Sequence, residues 1–480
     1  MSMSSSPPPA HVLLVSAPLQ GHVNPLLVLG RRLASRGLLV TFSTVPHAGL
    51  KFTHGDGAAV AVGRGTLRFE HLQGGTLWPP NDPRYCAPTA GGEMLLRHLE
   101  DAAPAALAGL LRRHSDAGRP VSCVVSAAFA PWAGRAAAAA GVPHAVLWTE
   151  SCAVLSLFYH YFYSLADFPS NNPNKAAPVD AAAIPGLPPV AAADLPALIH
   201  APENLIWRQV LVADLRGLRD TASWVLVNTF HELERPAIDA LRAHLPVTPV
   251  GPLFEPDNHG GGVHDDGDGC TAWLDAWSPG SVVFVAFGSL IKPSRDETAE
   301  LAAGLAATGR PFLLVVRGDS NNQPELLPDD GGRCKVVEWC EQGRVLSHAA
   351  VGCFVTHCGW NSTTEALASG VPVVTFPAWA DQPTNAKFLV DVYGVGARLP
   401  RPMARDAVSR CVEEVMSGPE AAAMRARAGE WKAAASAAVA DGGSSDRGVQ
   451  GFVDAVLSLK ELVMTSSSIF GQHVFVSNGS

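Results

Sequence analysis

Short apolar runs recur along the chain, and helical patterns separate them. Residues 11–17 (HVLLVSA), 38–44, 121–127, 144–150 and 224–230 are apolar throughout rather than alternating. Strands of a parallel sheet read this way, because helices cover both faces. After the first run, Asn24 fits a helix N-cap, Pro25 the first helical position and Gly37 the stop. The segment 255–269 (EPDNHGGGVHDDGDG) breaks this rhythm. Its Gly, Asp, Asn and Pro cannot pack a core, so it reads as a linker. Beyond it the pattern restarts, with strands expected at 281–289, 311–317, 335–339, 352–357 and 371–376 and a helix at 296–308. Two successive parallel sheets predict an α/β chain of two Rossmann-like domains facing a cleft, with ligands beyond the carboxyl ends of the strands. The expected division is residues 1–254, the linker 255–269, a second domain 270–463 and a Ser-rich tail 464–480 without helical signal.

Composition narrows the class. A chain of 480 residues is too long for one ordinary domain. With 47% hydrophobic and 16% charged residues it can bury large cores. The net charge of −9 argues against a general nucleic-acid binder. Nine cysteines are scattered without a CxxC pair, so free thiols in a reducing compartment are expected and a zinc site is not. Residues 1–10 are Ser/Pro-rich and lack the basic start of a signal peptide, and no apolar run is long enough to span a membrane. The expectation is a cytoplasmic monomer.

Candidate chemistry concentrates in two places. His357, Cys358, Gly359, Trp360, Asn361 and Ser362 close a strand and open a helix. The free N–H groups and the dipole of a helix start attract anions. With the Ser362 hydroxyl and the His357 imidazole, such a start suits a diphosphate without a metal. A plainer reading is open: Ser362 and Glu365 have capping-box spacing. Trp339 ends a strand, where a Trp is commonly core, although its flat face also suits a flat base. Asp381 and Gln382 follow a strand and a Pro-Ala-Trp turn, either as sugar-hydroxyl partners at the cleft or as an ordinary helix start. The second place is His22, which follows the first strand at the crevice of the first sheet.

Residues 339–382 (WCEQGRVLSHAAVGCFVTHCGWNSTTEALASGVPVVTFPAWADQ) resemble the signature box of plant secondary-product UDP-glycosyltransferases over its full length. A weaker resemblance runs from 11 to 457 and includes GHVNP at 21–25, PGLP at 185–188, WVLVNTFHELE at 224–234, FGS at 287–289 and GGSS at 442–445. It implies the GT-B fold, with UDP-glucose as donor substrate and no metal. It implies His357, Asn361 and Ser362 on the phosphates, Glu365 on the ribose hydroxyls, Trp339 on the uracil and Gln342 on the nucleoside. Ser289, Trp360 and Trp379 match donor-pocket positions, and Asp381 and Gln382 match the sugar-recognition pair. A Gln at the last box position goes with glucose. His22, within GHVNP, is implied as the general base of a single inverting displacement that expels UDP.

The chain departs from the family at one point. Relatives pair the catalytic His with an Asp at the end of the strand equivalent to 121–127, and here that position is Ala127. Glu150, at the end of another strand, is a candidate substitute. A second explanation lies in the acceptor. A carboxylic acid, with a pKa near ~4, is ionised without help, whereas a phenol near ~10 needs a base. The run 11–44 also resembles the branch that glucosylates hydroxycinnamates and benzoates. The expected acceptor is therefore a small aromatic or indolic acid, giving a β-glucose ester. Phe129, Trp148 and Glu150 are acceptor-side candidates, with Trp132, Phe158 and Tyr159 as further aromatics and the turn-rich segment 74–93 as a covering loop. Other readings are a phenol or flavonoid O-glucosyltransferase and a nucleotide-sugar-binding protein that has lost catalysis. A dinucleotide oxidoreductase ranks last, because no GxGxxG follows residues 11–17.

Overall fold

A computed structural model describes residues 9–45, 56–79, 82–86, 90–170, 179–254, 269–288, 291–316 and 332–473. The first sheet is built from β1 (His11–Val15), β2 (Leu39–Ser43), β3 (Ala59–Val62), β4 (Gly65–Phe69), β5 (Cys123–Ala127) and β6 (His144–Trp148). A separate two-stranded ladder, β7 (Ala181–Ala182) and β8 (Val190–Ala191), precedes its last strands, β9 (Trp224–Val227) and β10 (Val247–Pro249). The sheet order is β10-β9-β6-β5-β1-β2-β4-β3, parallel throughout except β3. Strands β1, β5 and β6 are buried at every residue, which is why their sequences are apolar without alternation.

The second sheet holds β11 (Val282–Ala286), β12 (Phe312–Val315), β13 (Cys334–Val337), β14 (Val351–Thr356), β15 (Val373–Thr375) and β16 (Gly396–Arg398). Its order is β13-β12-β11-β14-β15-β16, all parallel. The strand order reverses beside β1 in the first sheet and beside β11 in the second. Doubly wound sheets bind ligands at these crevices.

Three expectations are corrected. The first helix spans Gln20–Ser35 rather than starting at Asn24, so His22 lies in its first turn and Pro25 inside it. The tail is helical as far as His473, within a helix Ser444–His473. That helix also leaves the second domain. Val449, Phe452, Val453 and Val456 join the core of the first sheet beside Leu14, Leu29 and Val40, and Phe452 meets Trp224 edge-on at 5.6 Å. Apolar positions at helical spacing on residues 449–456 carry it there. The linker residues 255–268 and the tail residues 474–480 lie outside the described residues. No described helix is long and apolar enough to cross a membrane.

Candidate active site

The donor wall grows from the carboxyl ends of β11 and β14. His357 follows β14 and is buried. A Cβ on Gly288 or on Gly359 would stand 2.6 Å from His357 Nε2, so both positions need glycine for the ring to sit there. Burial pulls the His357 imidazole down to about 4, which keeps it neutral and leaves it an N–H to donate. The following helix spans Trp360–Ser369, and its N-cap is Gly359, without a side-chain cap.

The capping-box reading of Ser362 and Glu365 is thereby excluded. Both instead accept from one amide: Gln342 Nε2 donates to Ser362 Oγ at 2.9 Å and to Glu365 Oε2 at 2.7 Å. Burial lifts the Glu365 carboxyl to about 7, against the Gln342 bond. Trp339 is half-buried just beyond β13. Gln342, Ser362 and Glu365 thus form a connected polar face at the start of a ten-residue helix. Ser289 lies outside the described residues.

Asp381 and Gln382 sit at the start of the helix Gln382–Lys387. Gln382 Oε1 accepts from the backbone N–H groups of Ala378 and Trp379 at 2.9 and 3.0 Å, which leaves its NH2 group to point elsewhere. Asp381 accepts from Asn385 Nδ2 at 2.6 Å, and burial raises its carboxyl to about 6.

The opposite wall centres on His22, half-buried in the first turn of the helix Gln20–Ser35 that follows β1. Its Nδ1 meets Thr149 Oγ1 at 2.8 Å, and no carboxylate bonds it among the described residues. Desolvation pulls the imidazole down to about 4. Ala127, the last residue of β5, is enclosed in the core. Glu150 does not take the role of His22's partner. Among the described residues it makes no hydrogen bond to the ring, which Thr149 holds instead. Burial, and after it the charges of Asp381 and Asp214, hold the Glu150 carboxyl well above the usual range.

Phe129 adopts a left-handed φ of 60° just after β5. Its N–H donates to Asp214 Oδ2, from the helix Ile206–Asp220. An edge-on aromatic row results: His22 to Phe129 at 5.5 Å, Phe129 to Trp207 at 5.7 Å, and Trp207 to Trp379 at 5.5 Å. The row joins the first domain's histidine to the second domain's donor loop.

Two further contacts register the walls. Trp360 Nε1 donates to Asn228 O at 2.6 Å. Asn361 Nδ2 donates to Gly21 O at 2.7 Å. In a regular helix that carbonyl would accept from residue 25, but Pro25 has no N–H. The proline in GHVNP thus frees the Gly21 carbonyl, next to His22, for Asn361 of the other domain.

Residues 257–427 match the family model described as "UDP-glucoronosyl and UDP-glucosyl transferase". Gallate 1-beta-glucosyltransferase 84A24 of Punica granatum is 41% identical, over 93% of this chain and 88% of its own. The chain belongs to the UDP-glycosyltransferase family. Cinnamate beta-D-glucosyltransferase of Fragaria ananassa is 37% identical to this glycosyltransferase, over 96% of this chain and 85% of its own. Os79 from O. sativa, solved in complex with UDP, superposes with a TM-score of 0.78 at 31% identity and covers 93% of this chain and 100% of its own.

Of the acceptor-side candidates, Phe129 packs against His22, and Glu150 adjoins Thr149, the hydrogen-bond partner of His22. Trp148 is a correction: it is fully enclosed, donates to Ser151 O at 3.3 Å and packs on Phe158, as the last inward-facing residue of a central strand. Trp132, Phe158 and Tyr159 are also buried. In the covering segment, Trp78 stacks on His98 at 3.8 Å and lies under Arg84, so its ring is already used. Thr149, Trp207 and Asp214 were not singled out from the sequence. Asp214 alone carried a signal, as a carboxylate among the apolar positions of its helix.

Proposed function

We propose that this glycosyltransferase transfers glucose from UDP-glucose to the carboxylate of a small aromatic acid, forming a β-glucose ester. A carboxylate oxygen attacks the anomeric carbon from the His22 side. The bond from that carbon to the diphosphate breaks, its electron pair stays on the phosphate oxygen, and the anomer inverts. The charge gathering on UDP meets the N–H groups and dipole at the start of Trp360–Ser369, with Ser362 and neutral His357 beside it. Glu365 and Gln342 are assigned to the nucleoside, Trp339 to the base, and Asp381 and Gln382 to the sugar hydroxyls. The reading calls on no metal.

The observation that carries this choice of acceptor is His22's partner. A threonine hydroxyl fixes the ring's orientation but brings no negative charge to stabilise an imidazolium. With its imidazole pulled down to about 4, His22 is a weak base. An acid ionised near ~4 needs no stronger one, and a phenol near ~10 does. The gallate and cinnamate glucosyltransferases among the relatives support the same acceptor class.

The test is turnover of UDP-glucose with cinnamate, gallate and a flavonol, product by product. Alkali-labile esters from the acids are expected. Replacing His22 by Ala should slow any phenol transfer by on the order of 100-fold or more and acid transfer far less. Alkali-stable glucosides alone would favour the phenol reading. Donor binding without turnover of any acceptor would favour the lost-catalysis reading.

A further inference from the structure

We infer that Glu150 binds the acceptor, its carboxyl O–H donating a hydrogen bond to the acceptor carboxylate oxygen that does not attack the sugar. The inference rests on the acid-acceptor reading above.

Glu150 stands between the two reacting partners. On one side, Thr149 holds His22 Nδ1. On the other, Ser151 caps the helix Cys152–Phe162 and reaches Asn385 at 3.4 Å, the residue that donates to Asp381. The chain from 149 to 151 therefore bridges the base and the sugar-recognition loop, with Glu150 at its centre. Glu150 Oε2 is sealed from solvent and has no hydrogen-bond partner among the described residues. Leaving such an oxygen unpaired is costly, and a ligand or a bound water can complete it.

The charges around it give the oxygen its state. Asp381 faces it from the second domain and Asp214 from the helix Ile206–Asp220. His22 nearby is neutral. Glu234, from the helix His231–Leu241, spends both oxygens on the N–H groups of Cys152 and Ala153, and burial raises the Cys152 thiol, which keeps it neutral. Burial, and after it the neighbouring Asp381 and Asp214 carboxyls, favour the protonated form of Glu150. An ionised Glu150 would repel an acid acceptor. A protonated one can donate to it, the pattern by which apolar sites keep a carboxyl neutral so that it can hydrogen-bond an anion.

The chemistry predicts a split between two variants. Glu150→Gln keeps the size and a donor. It should retain kcat/KM for cinnamate within about threefold, while Glu150→Leu should raise the KM for cinnamate about tenfold or more. The KM for UDP-glucose should not move in either. In the parent enzyme the KM for cinnamate should rise at alkaline pH, as Glu150 loses its proton, and Glu150→Gln should abolish that rise. Thermal unfolding and UDP-glucose binding serve as controls for folding. The inference is overturned if Gln is as damaging as Leu, if neither variant changes the KM for cinnamate, if the KM for UDP-glucose moves instead, or if the alkaline rise persists in Glu150→Gln. A parent enzyme that makes no ester from cinnamate sinks the acid-acceptor reading and this inference with it. Ester formation that is indifferent to both variants sinks only the inference.

Discussion

The two walls of the cleft are built on different principles. On the donor wall nearly every polar group has a partner: one Gln342 amide links Ser362 and Glu365, and Gln382 and Asp381 are each tied to neighbours in the same short stretch. On the acceptor wall an edge-on aromatic row carries the shape, and the polar groups are sparse and buried: His22 on a hydroxyl, Glu150 with an open oxygen, Asp214 on one backbone N–H. A partnered wall is preorganised and holds one ligand without rearrangement. A sparse aromatic wall selects by shape, and small changes in it alter which acceptor fits. The difference teaches where each specificity resides.

A pair of variants tests that division most severely. Asp381→Ala removes a buried carboxyl and the bond it accepts from Asn385, which keeps its bond to Cys358 O. The expected loss in kcat/KM for UDP-glucose is on the order of a hundredfold, with the KM for the acid little changed. Trp207→Ala opens the aromatic row and should do the reverse, raising the KM for the acid and sparing UDP-glucose. Steady-state kinetics with each substrate varied in turn checks both. If either variant moved both constants equally, the walls would not be separable.

The same contrast explains what the sequence disclosed. The donor wall is drawn from residues 339–382, so motif spacing, strand end and helix start lie within one reading window. The central strands of both sheets were legible because they are apolar without alternation, whereas the edge strands β3, β10 and β16, and β4 beside β3, were not expected. The acceptor wall draws on residues 22, 129, 149, 150, 207 and 214, which only the fold brings together. Trp207 and Trp148 look alike in sequence and share one buried cluster, yet Trp207 meets Trp379 of the second domain edge-on while Trp148 packs on Phe158, because strand order and helix packing decide it. Thr149 went unnoticed beside Glu150, since a carboxylate was the expected partner of His22. The helix start was misplaced for a chemical reason: Pro25 reads as a first helical residue, and here it serves inside the helix by withholding an N–H. The C-terminal crossing escaped because a helix's own pattern shows that it has an apolar face, not which sheet it covers.

The walls should also titrate in opposite directions. Glu365 is lifted to about 7 by burial, so it is mostly charged above that pH and mostly neutral below it. A carboxylate accepts from two vicinal hydroxyls, and its protonated form has less accepting capacity. The KM for UDP-glucose should therefore rise as pH falls from about 8 to about 6, by up to about tenfold, the worth of one charged hydrogen bond. Glu365→Gln should flatten the profile. A flat profile in the parent enzyme would remove Glu365 from the ribose. The acceptor wall, governed by Glu150, should weaken on the alkaline side instead.

The smallest expected effect is the sharpest about the missing Asp. Asp214 is the one buried carboxyl bonded to the residue that touches His22, through the N–H of Phe129. Burial holds it well above the usual carboxylate range. A carboxyl and an amide have the same shape, and either accepts the Phe129 N–H. Asp214→Asn should then leave turnover with acids within about threefold. Asp214→Leu should cost more, about 1–3 kcal/mol, because it orphans that N–H and releases Phe129 from its left-handed backbone. Unfolding midpoints and kcat for both variants decide the matter. If Asn proved as harmful as Leu, Asp214 would be acting through charge. The carboxylate that relatives place at the end of β5 would then have been moved onto a neighbouring helix rather than lost.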